Sequence, residues 1–258
     1  MKIRIKFFKQ GEMKFIGHLD VMRYFQKAIR RADVDIRYSE GFSPHQLMSF
    51  AAPLSVGLTS NGEYVDIDVN STDSSAEMIR RINAVSVEGI QVISYKKLPE
   101  KAANAMSIVA AADYTLQFRP GYEPEDEAAW FDGFAEFLKT PSILIMKKTK
   151  KGEKELDLAP LIYEARPCSC LVPEEKQEEK GTLQAPGMFL KLSAGSAANI
   201  KPELVLDAYY RFLGQERPEF AFLIQREEVY AADYDEKGIP HFVSLDDLGE
   251  NIDGKPEE

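Results

Sequence analysis

The same order of strand-like and helix-like segments occurs twice along this chain, and that repetition limits the fold more than any other feature. In the first half, Lys2–Phe8 alternates charged and apolar residues, the period of a half-buried strand. A helix is expected from about Leu19 to Ala32, followed by a short strand over Val34–Tyr38 and an extended segment over Leu47–Val56. Asn61-Gly62 reads as a turn. Tyr64, Ile67 and Val69 then mark a strand, with Asp66 and Asp68 interleaved. Ser74 with Glu77 three residues later predicts a capped helix start, running to about Ala84. Ile90–Tyr95 is the closing strand.

The second half echoes this order. Tyr114–Phe118 reads as a strand and Pro124–Leu138 as a helix. Ser142–Lys147 and Lys154–Tyr163 are strand-like around a Lys150–Gly152 turn, and Phe189–Leu192 is a further strand. Pro202 opens a helix to Leu213, where Gly214 is a stop, and Ala221–Val229 ends the set. The expected fold class is therefore α/β of the α+β kind: tandem ferredoxin-like β-α-β-β-α-β units with antiparallel sheets. The units are expected over residues 1–100 and 107–232, joined near Pro99–Ser107. Residues 233–258 read as an acidic tail, disordered after Gly249. Glu174–Lys180 is charged, poor in apolar residues, and reads as a mobile excursion.

Several function classes fall away on composition. No apolar run reaches the roughly 18 residues of a membrane helix, and the alternating N-terminal segment is not a signal peptide, so a cytoplasmic, soluble protein with no membrane partner is expected. Cys168 and Cys170, one residue apart, give no disulfide framework and too few thiolates for zinc or an iron–sulfur cluster; they read as two reduced thiols in a loop. There is no GxGxxG, P-loop or HExxH, and no cofactor is expected. Residues 1–60 hold ten Lys/Arg against five Asp/Glu, a net of +5, so the rest of this −10 chain carries −15. A basic end on an acidic protein suggests a local anion-binding face rather than a wrapped nucleic acid.

The most distinctive residues lie between Phe15 and Ile67. They form Phe-x-Gly-His-Leu-Asp at Phe15–Asp20, Glu-Gly-Phe-Ser-Pro-His at Glu40–His45, and Gly-Glu-Tyr-x-Asp-Ile at Gly62–Ile67. In these motifs the chain resembles the DUF2344 family of radical SAM-linked proteins. The likeness is most specific over the first seventy or so residues, with looser patterning to roughly residue 230. Residues 171–187 depart from the pattern as an insertion. The resemblance implies a chain encoded beside, or fused behind, a radical SAM enzyme. Since the three-cysteine cluster motif of such enzymes is missing here, it implies a protein that accompanies the radical chemistry without performing it.

The candidate substrate- or anion-binding residues are His18, Asp20, Arg23, Lys27, Arg30, Arg31, Glu40, Ser43 and His45. On the first helix, Val21, Met22, Phe25, Ala28, Ile29 and Ala32 share one sector, with Arg23, Lys27, Arg30 and Arg31 opposite. The basic sector is an ordinary solvated face or a phosphate contact; four cations with no carboxylate among them lack the usual intrahelical partners. His18 and Asp20 either cap the helix or bind an anion at its N-terminus. Around Gly41–His45, either Phe42 plugs the core of a structural turn, or Ser43 and His45 line a pocket. His18, Ser43 and His45 are expected to converge beside Arg23 or Arg30. No catalytic triad is visible and a metal site lacks its third and fourth ligands, although Asp66 and Asp68 share a strand face. Lys148, Lys150 and Lys151 with Gly152 make a basic hairpin tip that can touch phosphate.

Three functions fit. One is a non-catalytic, substrate-binding accessory to a radical SAM protein encoded nearby, with RNA as a candidate substrate. Another is an enzyme using His18 or His45 for acid–base chemistry. The third is a purely protein-binding module.

Overall fold

The computed structural model describes residues 1–149, 152–171, 184–195 and 198–254. The chain begins with β1 (Lys2–Lys9), α1 (His18–Arg31), β2 (Met48–Phe50), β3 (Thr59–Asp68), α2 (Ser75–Ala84) and β4 (Ile90–Lys97). A one-turn α3 (Ala105–Ile108) leads into β5 (Val109–Phe118) and α4 (Glu127–Phe137). Next come β6 (Leu144–Thr149), β7 (Gly152–Asp157), β8 (Ile162–Leu171), β9 (Gln184–Ser193) and α5 (Pro202–Phe212). The chain closes with β10 (Phe222–Tyr234), β11 (Pro240–Ser244) and β12 (Glu250–Asn251). The fold is α+β, with antiparallel strand pairs throughout the registers given below. It divides into one unit of Met1–Ala111 with Arg226–Glu258, and a second of Ala112–Gln225.

In the first unit β1 pairs antiparallel with both β3 and β4, and β2 pairs antiparallel with β3, giving the order β4-β1-β3-β2. The apolar stripe of α1 buries Val21, Phe25, Ala28 and Ile29. It packs with Ile3, Ile5 and Phe7 of β1, Val65 and Ile67 of β3, and Met78 and Ile82 of α2. The Phe7 and Phe25 rings lie 4.4 Å apart. Each such side chain is worth roughly 1.5–3 kcal/mol when fully withdrawn from water. The Ser74 hydroxyl caps α2 by accepting from the Glu77 amide at 3.3 Å, as the sequence spacing requires.

Asn61-Gly62 is not a turn: β3 runs straight through it. A Cβ at Gly62 would sit 2.7 Å from the Glu227 carbonyl oxygen and 2.9 Å from the Glu228 Cα. The glycine therefore serves close approach of β10 to β3, not a reversal of the chain. Val34–Tyr38 supplies only isolated bridges, Ile36 to Val69 and Tyr38 to Gln46.

Of the segment 233–258, expected as a tail, residues 233–252 instead help to build the first unit. β11 pairs with the end of β10, and β12 pairs with β4 at Lys96 and Lys97. The Ser75 amide donates to the Ile252 carbonyl, and the Ser75 hydroxyl accepts from the Ile252 amide at 2.8 Å. Ile252 packs on the core, which explains why an acidic segment is held. Its last four residues, 255–258, lie outside the described residues.

In the second unit the strand order is β10-β5-β9-β8, here comprising Ala112–Phe118 of β5 and Phe222–Gln225 of β10. The core is aromatic: the Trp130 ring contacts Phe118, Phe134, Tyr209 and Phe222 with centroids 4.9–5.6 Å away. β6 and β7 form a separate two-stranded sheet, so the chain from Leu144 to Asp157 does not supply the main sheet as the element order suggested. β8 takes that place instead. Leu171 and Gln184 are register partners in β8 and β9, so the expected insertion begins and ends within a strand pair. Its centre, including Glu174–Lys180, lies outside the described residues.

Candidate functional site

The motif residues sit in the first unit, around α1 and the loop that leads to β2. Gly17 precedes α1 and His18 is its first residue, with no side-chain cap. The His18 ring does not satisfy backbone amides. It stands edge-on to Phe50 with centroids 5.3 Å apart. It lines a cavity of about 10 Å³, room for about one water, together with Phe7, Lys9, Pro53 and Glu63.

Beside that cavity lies a group of buried charges. Lys9 is 2% exposed and its ammonium donates to the Ile16 carbonyl at 3.2 Å. Burial pushes the Lys9 pKa down; the Glu63 carboxylate opposes that shift and the Arg226 guanidinium adds to it. Glu63 accepts from Arg226 Nε at 2.9 Å and also from its Nη2, which donates to the Ala52 carbonyl as well. Alternation did carry a signal for Lys9, since it falls in phase with Ile3, Ile5 and Phe7 on the core side of β1.

The Glu40–His45 segment is a closed, exposed loop. The Ser39 hydroxyl accepts from the His45 amide at 3.1 Å and shares a 2.8 Å hydrogen bond with His45 Nδ1. The Ser39 amide donates to the His45 carbonyl. Gly41, at φ +107°, makes the bend available. Phe42 does not plug the core; its relative exposure is 112%. Glu40 and Ser43 are exposed as well.

His45 borders a second cavity, of about 210 Å³, lined also by Lys2, Gln46, Asp66, Asp68 and Asn104. His18 and His45 thus line different cavities, and Ser43 lines neither. Neither of these two cavities brings His18, Ser43 and His45 together as expected: His18 stands by Phe50, and His45 beside Gln46 and Asp68.

Arg23, Lys27, Arg30 and Arg31 are all exposed on α1. Arg23 is not without a carboxylate: its Nη1 lies 3.4 Å from Asp20 Oδ1, with both side chains largely in water, where such a pair is weak. Lys27, Arg30 and Arg31 make no hydrogen bond or ion pair among the described residues. Lys150, Lys151 and the Lys148 side chain lie outside the described residues.

Sequence reasoning missed the pairing behind the second cavity. Arg4 grips Asp66 with Nε and Nη2 at 2.8 and 2.9 Å, and Asp66 Oδ2 also accepts from the Ala105 amide. Asp66 is therefore committed to structure. Cys168 and Cys170 lie on strand β8, not in a loop, with sulfurs 3.7 Å apart. Among the described residues, no group of three or more His, Cys, Asp or Glu is placed to hold a metal ion, and no helix is long and apolar enough to cross a membrane.

The fold and the motif segments define an α+β protein whose distinctive residues lie in its first unit. The chain belongs to the family described as "uncharacterized protein conserved in bacteria" (DUF2344), whose model matches residues 2–202. No curated protein matches it. A chain in the crystal structure of a Cbf5-Nop10-Gar1 complex is similar at 9% identity and a TM-score of 0.43. That similarity covers 88% of this chain and 48% of the other, so this protein spans about half its length. A likeness this remote says nothing of activity.

Proposed function

We propose that this chain is a non-catalytic accessory protein that binds a substrate, with RNA as the class that fits, and presents it to a radical SAM enzyme in the cytoplasm. The motif resemblance supplies the class of partner. The strand orders β4-β1-β3-β2 and β10-β5-β9-β8 support a ferredoxin-like assignment for each unit. The observation that carries the reading is Phe42: a phenylalanine in the Glu40–His45 motif, held by a hydrogen-bonded loop yet fully in water. That exposure leaves an apolar ring free to meet a partner, and Phe15 and Leu19 in the other motif are exposed too. Lys14 lies over the Phe15 ring at 5.1 Å, and Lys27, Arg30 and Arg31 are exposed on α1; aromatic rings and cations are the groups that single-stranded RNA contacts use.

The test is capture by the full-length tagged protein of its neighbouring radical SAM enzyme and of RNA. Arg23→Gln with Arg30→Gln should weaken RNA binding and flatten its salt dependence while leaving thermal stability nearly unchanged. Phe42→Ser should weaken binding without destabilising. His18→Ala and His45→Ala should impair turnover by the partner without unfolding the protein. Absence of any association with the neighbouring enzyme would overturn the partnership, and full RNA binding by the Arg and Phe42 variants would overturn the site.

A further inference from the structure

The second cavity has a chemistry that the accessory role does not explain. Lys2 and Asp68 are direct cross-strand partners in β1 and β3. A salt bridge would be the ordinary outcome of that placement. Instead the Lys2 ammonium donates to the Ala102 carbonyl at 3.0 Å and to Asn104 Oδ1 at 2.9 Å. Two of its three donors are used and one remains. The Asp68 carboxylate has no hydrogen-bond or ion-pair partner among the described residues. Both residues line the same cavity.

Gln46 strengthens the case. It is 6% exposed and lines the cavity. Its amide nitrogen donates to the Gln26 carbonyl at 3.3 Å, which assigns the other atom as the oxygen. That oxygen, Oε1, is buried with no hydrogen-bond partner. A buried, unsatisfied acceptor is costly and points to a donor that is supplied from outside. Asn104 has the converse pattern: its Oδ1 is taken by Lys2, leaving its amide NH₂ to donate. Asp66 offers little, since Arg4 and the Ala105 amide already occupy its oxygens.

The cavity is therefore lined by an acceptor, the Asp68 carboxylate, and by donors, Lys2 Nζ and Asn104 Nδ2, with the buried, unsatisfied Gln46 Oε1 in one of its lining residues. We propose that it is a binding site for a small zwitterion of the α-amino acid type. The ligand's ammonium is received by Asp68 and Gln46 Oε1, and its carboxylate by Lys2 and Asn104. A bare cation would leave the Lys2 and Asn104 donors unused, and a bare anion would leave Gln46 Oε1 unsatisfied. At about 210 Å³ the cavity is below the roughly 300–1,000 Å³ of pockets that take drug-sized ligands, which suits a small polar ligand. This goes beyond the accessory role and does not depend on it, because the site binds in the isolated protein.

The test is calorimetry on the purified full chain with glycine, alanine, serine and aspartate as probes, and with ethylammonium and acetate as half-ligands. At least one amino acid should bind one-to-one, and each half-ligand at least about tenfold more weakly, since each forgoes one set of charge-assisted hydrogen bonds. Asp68→Asn and Lys2→Gln should each weaken that binding about ten- to a hundredfold, with circular dichroism unchanged. Asn104→Ala, which leaves both charges in place, should weaken it by a smaller factor. If ethylammonium binds as tightly as the best amino acid and Lys2→Gln is silent, the site is a cation pocket and the zwitterion is wrong. If no probe binds at about 10 mM, ten times a weak millimolar affinity, the proposal fails outright. Loss of RNA or enzyme association would leave these results untouched, so the two ideas fail separately.

Discussion

Replacing Asp66 by Ala should be among the most damaging single changes in the first unit. Arg4 is 1% exposed and Asp66 3%. The pair is bidentate at 2.8 and 2.9 Å, Asp66 also holds the Ala105 amide at 2.9 Å, and Arg4 Nη1 holds the Leu245 carbonyl at 3.1 Å. Removing the carboxylate strands a guanidinium away from water, which costs about 3–5 kcal/mol in comparable buried pairs. With a urea m-value of about 1–3 kcal/mol/M, the midpoint should fall by at least about 1 M. Arg4→Met with Asp66→Leu removes both charges and should lose less than Asp66→Ala alone, although it leaves the Ala105 amide and Leu245 carbonyl unpaired at about 1–3 kcal/mol each. The assay is urea unfolding followed by far-ultraviolet circular dichroism. The lone tryptophan, Trp130, belongs to the second unit, so its fluorescence reports that unit separately. A loss below about 1 kcal/mol for Asp66→Ala, a surface-pair magnitude, would refute the reasoning.

Alkaline stability should depend on Tyr95, whose pKa burial raises from 10.0 to about 12 against the lowering effect of its Thr72 hydrogen bond. Its folded pKa lies above the unfolded one, so its contribution is present below pH 10 and is lost as pH climbs towards 12, by about 3 kcal/mol at most. Tyr95→Phe should remove that component in stability measurements across this window; an unchanged slope would argue against it. Gly62→Ala should cost about 1–3 kcal/mol, because the new methyl meets the Glu227 and Glu228 backbone and not a flexible side chain. Thermal unfolding decides this, and a neutral Gly62→Ala would mean that β10 stands off from β3.

Local periodicity alone determined much of the first unit. Spacing at 3.6 residues assigned Val21, Met22, Phe25, Ala28, Ile29 and Ala32 to the core face of α1, and all but the half-buried Met22 are buried. Ser74 and Glu77 marked the start of α2, since a cap needs only residues three apart. The motif residues were also legible, because Gly-Phe-Ser-Pro-His between two apolar segments serves no core. Tertiary structure decided what local pattern cannot express. Arg4 is on the polar phase of β1, yet the Leu245 and Ala105 segments cover it, and only chain far away in sequence could do so. Gly62 read as a turn because the partner that requires it lies in β10. The acidic C-terminal segment read as a tail because its stabilising contacts, Ile252 on the core and on Ser75, are long-range. Likewise, sequence placed His18 and His45 on flanking segments but could not tell that those segments face different cavities. Helix faces, strand phases and caps depend on neighbours within a few residues, whereas cavities and buried charge pairs depend on which distant segments meet.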